Sequence, residues 1–150
     1  MQSSRVPLKV GIGHIVVIGG GSVGSLFSGR LATLKHLADR VWLLTRWGDH
    51  AQAIMGTRGV IVREDASMGG ACLVGGVKVV GAPSEVLKAC QYDDEAVKGR
   101  VNVVILAAKQ PQIRRAAEDA AALLGSSHGG LLISLLNGVG HMDVLRKAFK

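Results

Sequence analysis

The chain has 150 residues, of which 48% are hydrophobic and only 3% aromatic, and it carries a formal net charge of +7. A chain of this length forms one domain and buries roughly 70% of the surface its unfolded form exposes, so the core must be built from Val, Leu, Ile and Ala. No apolar run reaches the ~20 residues of a membrane span, and the Lys and Arg residues occur in runs no longer than Arg114-Arg115 and Arg146-Lys147 with almost no aromatics to stack bases. A solvated basic surface is therefore expected, with neither a membrane nor a nucleic acid as partner. Cys72 and Cys90 match no metal or redox spacing and suit a reducing compartment. The histidines are scattered without the spacing of a ligand pair, and no metal site is expected.

Residues 1–13 read as an N-terminal arm with Arg5 and Lys9 and no acid before Asp39. A disordered lead-in to a cytoplasmic protein is expected, with organellar targeting as the alternative. From residue 14 the pattern changes. Ile15-Val16-Val17-Ile18 has strand composition without polar alternation, as in a parallel strand buried on both faces. Gly19, Gly21 and Gly24 follow at the spacing G-x-G-x-x-G, and each has its own physical case: a tight turn, close backbone approach to a ligand, and close packing of helix on strand. Val23, Leu26, Phe27, Leu31, Leu34 and Leu37 then recur at helical spacing, giving a helix whose apolar face is expected to pack on the sheet. Its free N–H groups point back at the glycines and form an anion site, for which pyrophosphate is the usual occupant. In a chain with 21 glycines the spacing alone is unspecific. The strand before it and the helix after it favour a dinucleotide loop over a plain tight turn.

Val41 to Leu44 forms a second strand ending at Thr45-Arg46, and Asp49 to Met55 a short helix stopped by Gly56. Val60-Ile61-Val62 is a third short strand, and residues 63–76, polar and then glycine-rich, read as an inserted loop or hairpin. Val77 to Val80 resumes strand character, Pro83 to Cys90 is a helix, and residues 91–100 form a charged connection. Val101 to Ala108 is a further buried strand. Pro111, the apolar set Ile113, Ala116, Ala117, Ala120, Leu123 and Leu124, and then Gly125 delimit the clearest helix. Leu131 to Leu136 closes as a last buried strand, and His141 to Phe149 as a last helix. Strands alternating with helices predict an α/β doubly wound parallel sheet.

In such a sheet the end of the second strand selects the nucleotide. A carboxylate there accepts the ribose 2′-hydroxyl of NAD, whereas an Arg accommodates the 2′-phosphate of NADP. Thr45 and Arg46 occupy it, so NADP is expected over NAD, with Thr45 adding a hydroxyl and Arg46 a bidentate grip. Lys109 and Asn137 fall at the C-terminal ends of buried strands, where ligands bind. Lys109 also reads as an ordinary solvated lysine, and Asn137-Gly138 as a turn with Asn capping the last helix.

The ordered set VVIGGGSVGSLFSGRLA, VWLLTR, VNVVILAAKQPQI and LLISLLNGVGHMDVL resembles the N-terminal half of the ketopantoate reductases, the NADPH-dependent 2-dehydropantoate 2-reductases, from about His14 to Lys147. The resemblance implies a Rossmann-type NADP-binding domain over residues 14–150. It implies that Gly19, Gly20, Gly21, Ser22, Val23 and Gly24 cradle the pyrophosphate, and that Arg46, beside Thr45, binds the 2′-phosphate. It places Lys109 beside the cofactor and Asn137 against nicotinamide ribose and substrate, a 2-keto acid of pantothenate and coenzyme A synthesis. The family's second, mostly helical domain, which supplies the proton donor, has no counterpart in these residues. The chain alone is thus expected to bind NADPH and to be weakly active or inactive, with a homodimer in the full-length form. A non-catalytic dinucleotide module, a glycerol-3-phosphate or 6-phosphogluconate type dehydrogenase, and more distantly a methyltransferase remain as alternatives.

Overall fold

The computed structural model describes residues 13–34, 37–63, 71–93, 100–125 and 129–150. The N-terminal arm, apart from Gly13, the middle of the 63–76 insertion and most of the 91–100 connection lie outside the described residues. In chain order the elements are β1 (His14–Ile18), α1 (Ser22–Ala32), β2 (Val41–Leu44), α2 (Gly48–Gly56), β3 (Gly59–Arg63), β4 (Ala71–Gly75), β5 (Lys78–Val80), α3 (Pro83–Cys90), β6 (Val101–Leu106), α4 (Ile113–Leu124), β7 (Leu131–Ser134) and α5 (His141–Ala148).

Five of the strands form one sheet in the order β5-β2-β1-β6-β7, every pair parallel. The chain winds outward from β1 in one direction and, after β5, returns across it to β6. The reversal places a topological switch point at the carboxyl ends of β1 and β6, where doubly wound sheets bind their ligands. Main-chain bonds beyond the strand ends hold that edge in line: Thr45 N–H to the Val80 carbonyl (3.0 Å), Gly19 to Leu44 (3.0 Å), Ala107 to Ile18 (2.8 Å) and Leu135 to Leu106 (2.9 Å).

The apolar strands have two buried faces because helices cover both. On one face Val16, Ile18, Trp42, Leu44, Val104 and Leu106 pack with α3, α4 and α5. On the other, Ile15, Val17, Val41, Leu43 and Ile105 pack with Ala32, Leu37, Ile54 and Val60. The 63–76 insertion belongs to a two-stranded antiparallel ribbon, β3 with β4, in the register Gly59 to Gly75 through Arg63 to Ala71. Val60-Ile61-Val62 is thus a strand of this separate ribbon and not of the main sheet.

Two expectations are corrected. Helix α1 does not turn its large apolar stripe inward: it buries Gly24, Ser28, Gly29 and Ala32, while Val23, Leu26, Phe27 and Leu34 are exposed. The cause is distance. The helix starts so close to the β1 turn that only small residues fit beneath it, and the bulky positions are left on the outer side; Leu31 and Leu37 alone of the stripe reach the core. Strand β7, expected to be buried, is an edge strand whose Leu131 and Ile133 are 55% and 36% exposed. An apolar run identifies a strand but not whether a neighbour lies beyond it.

Candidate functional site

The turn between β1 and α1 shows what each glycine does. Gly19 has φ +114°, and a Cβ on it would meet the Ala107 carbonyl at 2.7 Å and the Ala108 nitrogen at 2.8 Å, so only glycine turns here against the end of β6. A Cβ on Gly24 would collide with the Gly19 carbonyl, which lets the first turn of α1 close directly over the strand end. A Cβ on Gly20 would run into the Thr45 side chain. Gly21 is different: nothing lies within 4 Å of the position its Cβ would take. That space opens in front of the first turn of α1, whose N-terminal residue Ser22 and neighbour Val23 are exposed and which holds no acidic side chain. An opening bounded by free helix N–H groups and lacking negative charge fits a pyrophosphate.

At the end of β2 the structure revises the reading. Thr45 is buried, its Oγ1 faces Gly20 and accepts the Trp47 N–H at 3.3 Å, so this side chain shapes the loop and is not presented to a ligand. Arg46 is held by a residue that sequence reasoning passed over. Its two terminal nitrogens donate to both carboxylate oxygens of Asp119 on α4, at 2.8 and 3.0 Å. Asp119 is 7% exposed on the apolar face of α4, among Ala116, Ala117, Ala120 and Leu123, and a carboxylate in such surroundings requires a cation.

Lys109 and Asn137 lie at neighbouring strand ends, beyond β6 and β7, and both are exposed. The Gln110 side chain donates to the Asn137 carbonyl at 3.2 Å and ties the two ends together. Pro111 opens a 3-10 turn at Gln110–Gln112, so α4 proper begins only at Ile113. The cap reading of Asn137 fails: the N-cap of α5 is Gly140, in the left-handed region at φ +84°, with no side-chain cap, and His141 donates from Nδ1 to the Gly138 carbonyl at 2.9 Å.

The fold also assembles groups without a spacing signature. Ser25 on α1 donates to the Gly20 carbonyl at 3.3 Å and accepts from His50 Nε2 at 2.9 Å, and the His50 ring stacks at 4.9 Å on Trp47. At the opposite end of the sheet the ligand atoms of His14, Cys90 and Asp93 lie within 4.8 Å of one another, although the sequence suggested no metal cluster. Trp42 decides how to read them. Its Nε1–H, which can only donate, bonds His14 Nδ1 at 2.9 Å, so the ring proton sits on Nε2 and is given to Asp93. A cation would have to displace that proton and leave an imidazolate, whereas the hydrogen-bonded arrangement satisfies every member. Cys90, fully buried beside it, has its thiol pushed up to about 11 by burial first and then by the Asp93 carboxylate.

A family description, Ketopantoate reductase PanE/ApbA, matches residues 15–150. The chain belongs to this family. Solved structures share the fold. D-mandelate dehydrogenase in a ternary complex with NADH and anilino(oxo)acetate is 22% identical, with a TM-score of 0.60 over 89% of this chain and 36% of its own. A protein of Enterococcus faecalis described as a candidate 2-dehydropantoate 2-reductase is 23% identical, with a TM-score of 0.64 over 90% and 37%. At these identities the likeness shows the fold. The chain spans little more than a third of the length of either. Nothing among the curated proteins matches it. Ketopantoate reductases are NAD(P)-dependent oxidoreductases.

Proposed function

We propose that the chain is the cofactor-binding half of an NADPH-dependent 2-dehydropantoate 2-reductase. The observation that carries this reading is the opening at Gly21, at the switch point of the sheet and under the N-terminus of α1. Main-chain N–H groups of Gly21 to Gly24 would bind the pyrophosphate, and Arg46 would meet the 2′-phosphate beyond the end of β2. The bound dinucleotide supplies a hydride. The ends of β6 and β7 would then hold the nicotinamide side: Lys109 beside the cofactor, and the Asn137 amide against both the ribose and the 2-keto acid, orienting its carbonyl. General acid catalysis of the alkoxide typically contributes 10²–10⁴-fold, and in this reading the Asn137 amide orients the carbonyl and is not the proton donor. The resemblance to ketopantoate reductases supports a donor from that family's second domain.

Family membership supports a 2-keto acid as the substrate class, and a 2-keto acid is also the oxidised partner of the mandelate that names one structural relative. The test is oxidation of NADPH, followed by absorbance, with ketopantoate and with phenylglyoxylate as separate substrates. The reading expects binding of NADPH, slow or no turnover by this chain, and any measurable rate to favour ketopantoate. Turnover at the rate of a complete reductase would contradict the division of labour, and a preference for phenylglyoxylate would contradict the substrate.

A further inference from the structure

Arg46 and Asp119 are joined end-on, each terminal guanidinium nitrogen to one carboxylate oxygen, at 2.8 and 3.0 Å. The side chain of Asp119 is 10% exposed and that of Arg46 35%, so the carboxylate is the buried partner and the guanidinium the one that reaches solvent. Asp119 cannot turn to solvent, because α4 holds it in a face of buried alanines and leucines. The pair has no net charge. A 2′-phosphate arriving at this strand end would find the end-on edge of the guanidinium already taken, three of its five N–H donors left, and a negative carboxylate beside them.

We propose that Asp119 is a nucleotide-specificity residue: by competing with the 2′-phosphate for Arg46, it keeps the preference for NADPH over NADH small. The inference rests on the reading of Arg46 as the 2′-phosphate ligand. Preorganisation of Arg46 by Asp119 would act in the opposite direction, but it saves only the rotamer freedom of one side chain, whereas the carboxylate takes up the end-on edge and repels a dianion.

The test is calorimetric titration of NADPH and NADH into the wild-type chain, Asp119→Asn, Asp119→Ala, Arg46→Ala and the double variant Arg46→Ala with Asp119→Asn. Asp119→Asn preserves shape, and Asp119→Ala matches the neighbouring alanines and serves if the amide variant folds poorly. The wild type should prefer NADPH by less than about 10-fold. Removing the carboxylate should raise NADPH affinity by about 10-fold, the scale of one charge-assisted contact, and change NADH by less than twofold. An unchanged or lowered NADPH affinity in both Asp119 variants, with the double variant losing the preference, would overturn competition while leaving Arg46 as the phosphate ligand. A double variant that keeps its preference for NADPH would remove Arg46 from the phosphate site, and the proposal with it.

Discussion

Gln110 donates from its side chain to the main-chain carbonyl of Asn137 across 3.2 Å, so the ends of β6 and β7 are held as one unit while the Asn137 amide stays exposed. The bond uses the backbone of Asn137, and α5 is capped by Gly140. Neither contact needs the amide. Asn137→Ala should therefore leave the unfolding midpoint in urea nearly unchanged, and should cost NADPH affinity less than it costs turnover. In a reductase containing this half it should lower turnover by ~10²-fold, the cost of a misplaced reactant. A variant that melts early and keeps its turnover would return Asn137 to a structural role.

The buried His14 bridge makes a stability prediction. Trp42 donates to His14 Nδ1, and His14 donates to Asp93, so His14→Leu strands the Trp42 N–H in the core. Leaving one buried donor unpaired costs about 1–3 kcal/mol. Urea unfolding should show a loss of that size for His14→Leu, and Trp42→Phe on the same background should restore part of it, since it removes the orphaned donor. Equal stability of wild type and His14→Leu would show that the bridge contributes nothing.

Cys90 gives the pH dependence. Burial and the Asp93 carboxylate raise its thiol from 9.0 to about 11, so the fold favours the neutral form. The stability this contributes is complete below pH 9 and is lost as the pH rises from there towards 11. At pH 8 iodoacetamide should label Cys90 in the native protein far more slowly than in urea, as read by mass spectrometry of the Cys90 peptide. Labelling at the same rate in both would contradict the buried, protonated thiol.

What the sequence made legible follows the range of the interactions. Strands β1, β2 and β6, the glycine loop and helix α4 are local patterns and stand in the expected places, although β6 ends at Leu106 rather than Ala108 and α4 begins at Ile113, after Pro111. The outward stripe of α1 was not legible, because Val23, Leu26 and Phe27 satisfy the same periodicity whichever way the helix faces, and Gly24 against the Gly19 carbonyl decides the matter in three dimensions. Asp119 was hidden for a similar reason. It reads as one polar residue in an alanine-rich helix until its partner 73 positions earlier in the chain is known. Arg46 was singled out from its strand-end position, but its ion pair was not, and neither was the His14, Trp42 and Asp93 bridge, which joins β1, β2 and the segment after α3.

The central claim is that the space at Gly21 receives the pyrophosphate of a nicotinamide dinucleotide, and Gly21→Val tests it most directly. Gly21 is extended, at φ −73° and ψ −174°, a conformation valine adopts readily, and a Cβ there touches no protein atom within 4 Å. The substitution should leave the fold and its unfolding midpoint intact and fill the space meant for phosphate. Titration of NADPH, followed by nicotinamide fluorescence, should show saturable binding to the wild type and at least a ~100-fold loss, about 2.7 kcal/mol, in the folded variant. Wild-type affinity retained by Gly21→Val, or no binding by the wild type at all, would contradict the account.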